Sequence, residues 1–146
     1  MNVTPYLTFN GNCREAFEFY AACLGTEVKA MMTGADVPAD AAMGDSDDGC
    51  AGGPPPADKI IHACIEFENS VLMASDWMSP EPFQPPKGFS VALGVDNVAE
   101  AERVFKALSE GGQVQMPLGE TFFAAAFGML VDKFGVSWMV NCDKHG

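Results

Sequence analysis

One C-terminal stretch decides the fold: Ala126-Phe127-Gly128-Met129-Leu130-Val131-Asp132-Lys133-Phe134-Gly135-Val136-Ser137-Trp138-Met139-Val140-Asn141. Two apolar runs flank Asp132-Lys133-Phe134-Gly135. Gly135 can adopt the positive φ that a tight turn needs, and Asp132 can accept hydrogen bonds from the turn backbone. We therefore predict an antiparallel hairpin with strands at about 124–131 and 137–142.

Side chains alternate along the second of these strands, because successive residues of a strand point to opposite faces. One face carries Ser137, Met139 and Asn141, and the other carries Trp138, Val140 and Cys142. We expect one face to pack against a helix and the other to line the space where a ligand binds.

Length and composition indicate a single globular domain. The chain has 146 residues, of which 48% are hydrophobic and 19% charged, values typical of a folded protein with one core. No apolar run approaches the roughly 20 residues of a membrane span. The first residues lack the charged-then-apolar layout of a signal peptide, so we expect a cytoplasmic protein.

The net charge of −12 makes nucleic acid an improbable partner, because a phosphate backbone would be repelled. Much of the excess lies in residues 34–58, which contain six aspartates and no basic residue. We expect this segment to be a mobile loop. Its Asp45–Gly49 stretch does not match a calcium loop, since Pro56 stands where the bidentate glutamate belongs.

The five cysteines are Cys13, Cys23, Cys50, Cys64 and Cys142. Their number is odd and no pair has CxxC spacing, so we predict buried free thiols rather than disulfides or a zinc site.

In the first half of the chain, the pattern of apolar and turn residues predicts a strand at 4–10, a helix, a strand at 26–33 and a hairpin of strands 59–67 and 70–76. Asn12 and Glu15 have capping-box spacing at the start of the helix, and Gly25 is placed to end it. The apolar stripe of this helix comprises Cys13, Ala16, Phe17, Tyr20 and Leu24.

The second half repeats this order after a proline-rich linker at 77–88. A strand at Phe89–Val95 precedes a helix with Asn97 and Glu100 at its start, and a strand at 113–118 precedes the final hairpin. The stripe of this helix comprises Val98, Ala101, Phe105 and Leu108, and Gly111-Gly112 follows it.

The halves align at a constant offset of 85 through the helices (Asn12 with Asn97) and 66 through the last strands (Met73 with Met139). The difference, 85 − 66 = 19 residues, fits the acidic loop. We predict an α+β fold of two βαβββ modules, 1–76 and 89–143, whose curved mixed sheets enclose a cleft between them.

This duplicated unit resembles the vicinal-oxygen-chelate superfamily (glyoxalase, bleomycin resistance, dioxygenase), and in particular its PhnB-like branch, the 3-demethylubiquinone-9 3-methyltransferase-type domain. The resemblance rests on six motifs in order: Val3–Leu7, Ala16–Tyr20, Lys59–Ala63, Val71–Asp76, Gly119–Phe123, and Phe127-Gly128 through Asp132–Gly135 to Trp138–Asn141. It covers the chain nearly end to end, apart from 34–58.

Metal-using members of the superfamily place His or Glu ligands on the first and last strand of each module. Here strand 4–10 has no His, Asp or Glu, and Met73, Ser90 and Met139 stand at the other positions. Thioethers and a hydroxyl are poor ligands for hard or borderline cations. We therefore predict no metal and no other cofactor, and no glyoxalase or dioxygenase chemistry by the usual route of the superfamily.

Two residues are candidates for acid–base chemistry. The resemblance implies a histidine at the position of His62, and strand alternation places it opposite the helix-facing side; imidazole is the side chain best suited to proton transfer near neutral pH. Glu120 is either a base or anchor for a substrate, or a solvated loop carboxylate. For His62 the alternative is a side chain satisfied by a structural neighbour.

The predicted ligand-binding residues line the cleft between the modules: Tyr6, Met73, Ser75, Trp77, Ser90, Phe122, Phe127 and Met139. The branch usually has tryptophan near 122 or 123, where this chain has phenylalanine. Flexible apolar side chains favour a small apolar or aromatic ligand. Asp76, beside these residues, is expected to cap a turn.

Three functions follow as hypotheses. The first is metal-free binding of a small molecule, and the second is an isomerase or lyase with His62 as general base. Methyl transfer is disfavoured, because the sequence lacks a glycine-rich strand–helix turn for the methyl donor. The third is an interaction role: superfamily members pair modules across chains, so we expect a homodimer.

Overall fold

The structure is a computed structural model that describes residues 1–36, 57–79, 81–85 and 87–144. Most of the predicted acidic loop and Cys50 lie outside the described residues. Contacts divide the chain into two compact units, Met1–Pro85 and Pro86–Gly146, with the boundary inside the predicted linker.

The first unit contains β1 (Tyr6–Phe9), α1 (Cys13–Leu24), β2 (Val28–Thr33), β3 (Ile60–Glu66) and β4 (Val71–Asp76). A short 3-10 turn, Gly34–Asp36, follows β2. The second unit contains β5 (Val91–Val95), α2 (Val98–Ser109), β6 (Gln113–Gly119), β7 (Ala124–Val131) and β8 (Ser137–Asp143). Each unit is therefore a βαβββ module, and the predicted repeat is confirmed.

Both sheets have four strands and the same topology. The orders are β1-β4-β3-β2 and β5-β8-β7-β6. In each, the first strand of the module pairs parallel with the last, and the other pairs are antiparallel. The helix connecting the first two strands packs on one sheet face, and this confirms the predicted fold class of mixed sheets with covering helices.

The predicted final hairpin is confirmed. Gly135 has a φ of +87°, and Asp132 accepts hydrogen bonds from the backbone N–H groups of Phe134 and Val136 at 2.8 and 3.0 Å. Along β8, Trp138, Val140 and Cys142 are buried while the alternate residues are half-buried. The Trp138 ring therefore belongs to the layer that faces α2.

The N-terminus of α1 differs from the prediction. Asn12 makes no side-chain capping hydrogen bond, and its ψ of 28° is not the extended conformation of a typical N-cap. The backbone N–H of Cys13 instead donates to Oδ1 of Asp76, at 2.9 Å, while Oδ2 accepts from the N–H of Ile60 at 2.8 Å. Asp76 is thus a buried cap supplied from β4.

The N-terminus of α2 follows the prediction. Asn97 has extended backbone angles, and its Oδ1 accepts a hydrogen bond from the N–H of Glu100 at 2.7 Å. The helix stripes are also mostly buried, but Val98 is 41% exposed because it is the first residue of its helix. Val104, which was not predicted, takes part in the core.

The alternation that places His62 opposite the helix-facing side is correct for most of β3 and wrong at its start. Ala63 and Ile65, on the helix-facing side, are fully buried. Ile60 is also buried and Ile61 is not, because a register shift between β2 and β3 falls between His62 and Ile60.

Four of the five cysteines, Cys13, Cys23, Cys64 and Cys142, are buried thiols, so the prediction of buried thiols is confirmed for them. Among the described residues, no helix is long and apolar enough to cross a membrane.

Candidate functional site

In each module the helix covers one face of the sheet. We call the opposite face of the first sheet the first open face, and the opposite face of the second sheet the second open face. The first open face carries the side chains of Tyr6, Thr8, Met32, His62, Cys64, Met73 and Ser75. Strand register sets this arrangement: Tyr6 is paired with Met73, Thr8 with Ser75, Cys64 with Met73, and Met32 with His62.

Tyr6 and His62 approach each other across this face. Their strands, β1 and β3, are separated by β4, so their backbones lie roughly 9–10 Å apart. The ring centroids are only 6.2 Å apart, with planes tilted by 35°. The two rings therefore lean together over β4, and His62 is half-buried beside the strand that carries Met73 and Ser75.

The second open face is built around three methionines. Met116 is paired with Met129 and Met129 with Met139, so three thioethers form one row across β6, β7 and β8. Phe127 lies on β7 next to this row and is paired with Asn141. This face is consequently apolar and polarisable at its centre.

An aromatic chain extends from this face to the β6–β7 turn. The ring centroids of Phe122 and Phe123, and those of Phe123 and Phe127, are each 5.1 Å apart in edge-to-face arrangements. The hydroxyl of Thr121 accepts from the N–H groups of Phe123 and Ala124, which fixes the turn. Phe122 is 92% exposed, so the chain ends in a solvent-facing ring.

The polar residue predicted on the fifth strand, Ser90, has a partner. Its hydroxyl lies 2.8 Å from that of Ser137, the first residue of β8, two residues before Met139. Ser137 was not assigned to the site from sequence, although its alternation with Met139 would have placed it there.

Two predicted site residues are engaged locally. The indole Nε1 of Trp77 donates to the carbonyl oxygen of Glu81 at 2.6 Å, and its ring packs edge-on against Phe83. Glu120 is exposed and its carboxylate lies 3.2 Å from Nζ of Lys144. These contacts favour a structural role for Trp77 and a solvated ion pair for Glu120.

The superfamily's chelating positions do not fit a divalent metal in this chain. The open-face residues of β1 and β4 include Tyr6, Thr8, Met73 and Ser75, and those of β5 and β8 include Ala92, Ser137, Met139 and Asn141. None of these offers an imidazole or a carboxylate; Asp143, the last residue of β8, is exposed and accepts a hydrogen bond from Asn141. In the part of the chain that the structure describes, no group of three His, Cys, Asp or Glu side chains could hold a metal ion; the predicted absence of a metal stays a prediction.

A separate concavity lies at the β3–β4 turn. It has a volume of about 380 Å³ and is lined by Asn2, Val3, Thr4 and residues 66–71. Its lining includes Glu66 and Glu68 but neither His62 nor Met73.

The fold places the chain in a known class. The glyoxylase/bleomycin resistance protein/dioxygenase domain from Frankia sp. EAN1pec aligns over 99% of this chain and 98% of its own, with a TM-score of 0.62 and 12% identity. At that identity the likeness concerns the fold alone, and the fold is that of the glyoxalase/bleomycin resistance/dioxygenase proteins.

The family is narrower. The 3-demethylubiquinone-9 3-methyltransferase family model matches residues 1–141, and Protein YjdN of Escherichia coli (strain K12) is 37% identical over 99% of this chain and 97% of its own length. The chain therefore belongs to the 3-demethylubiquinone-9 3-methyltransferase family, the PhnB-like branch, and the resemblance drawn from sequence is confirmed.

Two solved structures are similar over their whole length. Protein PA1353 from Pseudomonas aeruginosa is 48% identical, with a TM-score of 0.83 and 99% of each chain covered. A putative 3-demethylubiquinone-9 3-methyltransferase, PhnB protein, from Bacillus cereus is 26% identical, with a TM-score of 0.72 and coverage of 97% and 99%.

Proposed function

We propose that this protein binds a small apolar or aromatic molecule on its open faces, without the help of a divalent metal. The observation that carries the proposal is the row of Met116, Met129 and Met139 on the second open face, continued by the edge-to-face rings of Phe127 and Phe123. Thioethers and aromatic rings adapt to apolar ligands at little cost.

The hydroxyl pair of Ser90 and Ser137 supports one polar contact. When one hydroxyl donates to the other, the second retains its own hydrogen for a ligand oxygen. A largely apolar molecule with one carbonyl or hydroxyl group fits this description. The family description includes a demethylated quinone precursor, so short-chain quinones and quinols are suitable first probes.

A ligand screen tests the proposal. Thermal unfolding is measured in EDTA with quinones, naphthalene derivatives and aliphatic alcohols, and we expect stabilisation by members of the first two groups. Met129→Leu keeps an apolar side chain of similar volume and should retain binding. Met129→Gln brings an amide to the same place and should weaken binding about tenfold, because the amide must be desolvated. No stabilisation by any compound would contradict the proposal.

A second candidate function uses His62 as a general base in isomerisation or lyase chemistry. It is supported by the half-buried imidazole on the first open face, close to Tyr6 and beside the strand that carries Ser75. Turnover of candidate substrates by the wild type and by His62→Gln is the test, and equal rates would remove the idea.

The methyl transfer in the family description is not part of the proposal. The connection from β1 to α1 is Asn10-Gly11-Asn12, which contains a single glycine rather than the glycine-rich turn of a nucleotide-binding unit. Calorimetric titration with S-adenosylmethionine is expected to show no binding, and saturable binding would require methyl transfer to be reconsidered.

We also propose that the protein works as a homodimer, as the superfamily resemblance implies. Scattering mass in solution is the measurement. A mass of about twice the 15.5 kDa of the chain agrees with it, and a single-chain mass at all concentrations contradicts it.

A further inference from the structure

Four soft metal-binding side chains lie together on the first open face. Cys64 and Met73 are directly paired across β3 and β4, and Met32 and His62 are directly paired across β2 and β3. His62 and Cys64 are two residues apart on one strand, so their side chains point to the same side. The Cβ atoms of directly opposed residues are about 4.5–5.5 Å apart, which places a thiol, an imidazole and two thioethers in one patch.

The orientation of His62 favours convergence on this patch. Its ring leans toward β1, as the 6.2 Å separation from the Tyr6 ring shows, and β4 with Met73 lies between those strands. The imidazole is therefore directed over the strand that carries one thioether, while Cys64 lies directly across from that same thioether. The Met73 side chain is long and flexible enough to complete this set, whereas Met32 lies on β2, on the side of β3 that the imidazole leans away from.

We propose that Cys64, His62 and Met73 form a binding site for a soft monovalent cation, Cu(I) or Ag(I). Thiolate and thioether ligands select Cu(I), whereas carboxylate and hydroxyl groups suit hard cations. These residues make the first open face a poor site for the superfamily's divalent metals and a good site for a soft monovalent cation. The proposal does not depend on the proposed function.

The surroundings allow a cation to bind. Cys64 is buried with 9% of its surface exposed, while His62 and Met73 are half-buried, so the patch reaches the surface at those two side chains. Glu66 is exposed and two residues beyond Cys64 on β3, and its carboxylate adds negative potential near the site without being one of the proposed ligands.

Binding is coupled to a proton. The Cys64 thiol must release its proton to solvent when its sulfur bonds to the cation. Burial, and secondarily Glu66, raise the pKa of this thiol above its ordinary value of 9.0.

The experiment uses the full chain carrying Cys50→Ser, which removes the thiol outside the described residues as a competing ligand. Anaerobic Cu(I) titration against a competing chelator should give one tight equivalent. Cys64→Ser should lower the affinity about a hundredfold and Met73→Leu or His62→Gln about tenfold, because each removes one ligand.

Matched controls decide the outcome. Met129→Leu and Met139→Leu remove thioethers from the second open face and should leave the affinity unchanged. X-ray absorption of the Cu(I) form should show sulfur scatterers together with a nitrogen. The proposal is overturned if Cys50→Ser abolishes binding, if Met73→Leu and His62→Gln bind like the parent, or if the second-face variants carry the loss.

Discussion

Oδ2 of Asp132 accepts a hydrogen bond of 2.8 Å from the indole Nε1 of Trp138, and both side chains are buried. The other carboxylate oxygen accepts from two backbone N–H groups of the intervening turn. One carboxylate thereby joins the turn to the layer that packs on α2.

We predict that Asp132→Ala lowers the free energy of unfolding by about 3 kcal/mol or more, because buried donors lose their acceptor. Asp143→Ala is the control. Asp143 is exposed at the end of β8, the strand that carries Trp138, and its replacement should lower the free energy of unfolding by less than about 0.5 kcal/mol. Urea unfolding, monitored by tryptophan fluorescence, measures the free energy of unfolding of both variants. Equal losses would contradict the stabilising role of the Asp132 carboxylate.

The side-chain caps of α1 and α2 should contribute different amounts to the free energy of unfolding. Asp76→Ala leaves the N–H groups of Cys13 and Ile60 without an acceptor, and we expect it to cost about 2–4 kcal/mol. Asn97→Ala should cost about 1 kcal/mol, the usual cost of an N-cap. Asn12→Ala should cost less than about 0.5 kcal/mol, since its side chain makes no cap bond. Chemical denaturation gives the order, and a large effect at Asn12 would be inconsistent with the structure.

Gly128 is predicted to tolerate no side chain. A Cβ atom there would lie 2.7 Å from Cε2 of Phe105 and 2.9 Å from Cα of Leu118. Gly128→Ala should therefore destabilise the protein by about 2 kcal/mol or more. Gly94→Ala, where a Cβ atom meets nothing within 4 Å, should be neutral or stabilising by a few tenths of a kcal/mol. Melting temperatures of both variants check this, and similar values would refute the close approach.

Stability in alkali should depend on Cys13. Burial, with a smaller contribution from Asp76 and an opposing one from Arg14, raises the pKa of this thiol from 9.0 to about 12. The unfolded chain loses the proton first, so the free energy of unfolding falls as pH rises from 9 toward 12.

Cys13→Ala removes this dependence. Between about pH 8 and pH 10.5 the variant should lose roughly 1–2 kcal/mol less stability than the wild type. Only the slopes are compared, because the missing thiol also lowers stability at every pH. Parallel pH profiles from urea unfolding would show that Cys13 is not responsible.

Much of the fold could be predicted because its determinants are local. The Asp132–Gly135 turn, the cap at Asn97 and the alternation along β8 all depend on neighbouring residues. The cap at α1 was wrong because its acceptor, Asp76, is 63 residues away from Cys13 in sequence. The register shift at Ile60 likewise depends on pairing with β2, and no feature of the β3 sequence indicates it.

The candidate site was predicted in part for the same reason. Alternation and the repeat identified Met73 and Met139, and alternation with Met139 also indicates Ser137, but Met116 and Met129 required the register of three strands. Trp77 and Glu120 were singled out by chemical type, and their partners, the Glu81 carbonyl and Lys144, become apparent only once the chain is folded.

Calorimetric titration of the wild type with a short-chain quinone in EDTA tests the central claim most directly, with Met129→Gln alongside. We predict saturable binding that needs no divalent ion and is about tenfold weaker in the variant. Binding that appears only after a divalent metal is restored, or that is identical in the variant, would contradict the claim that a metal-independent apolar face carries the function.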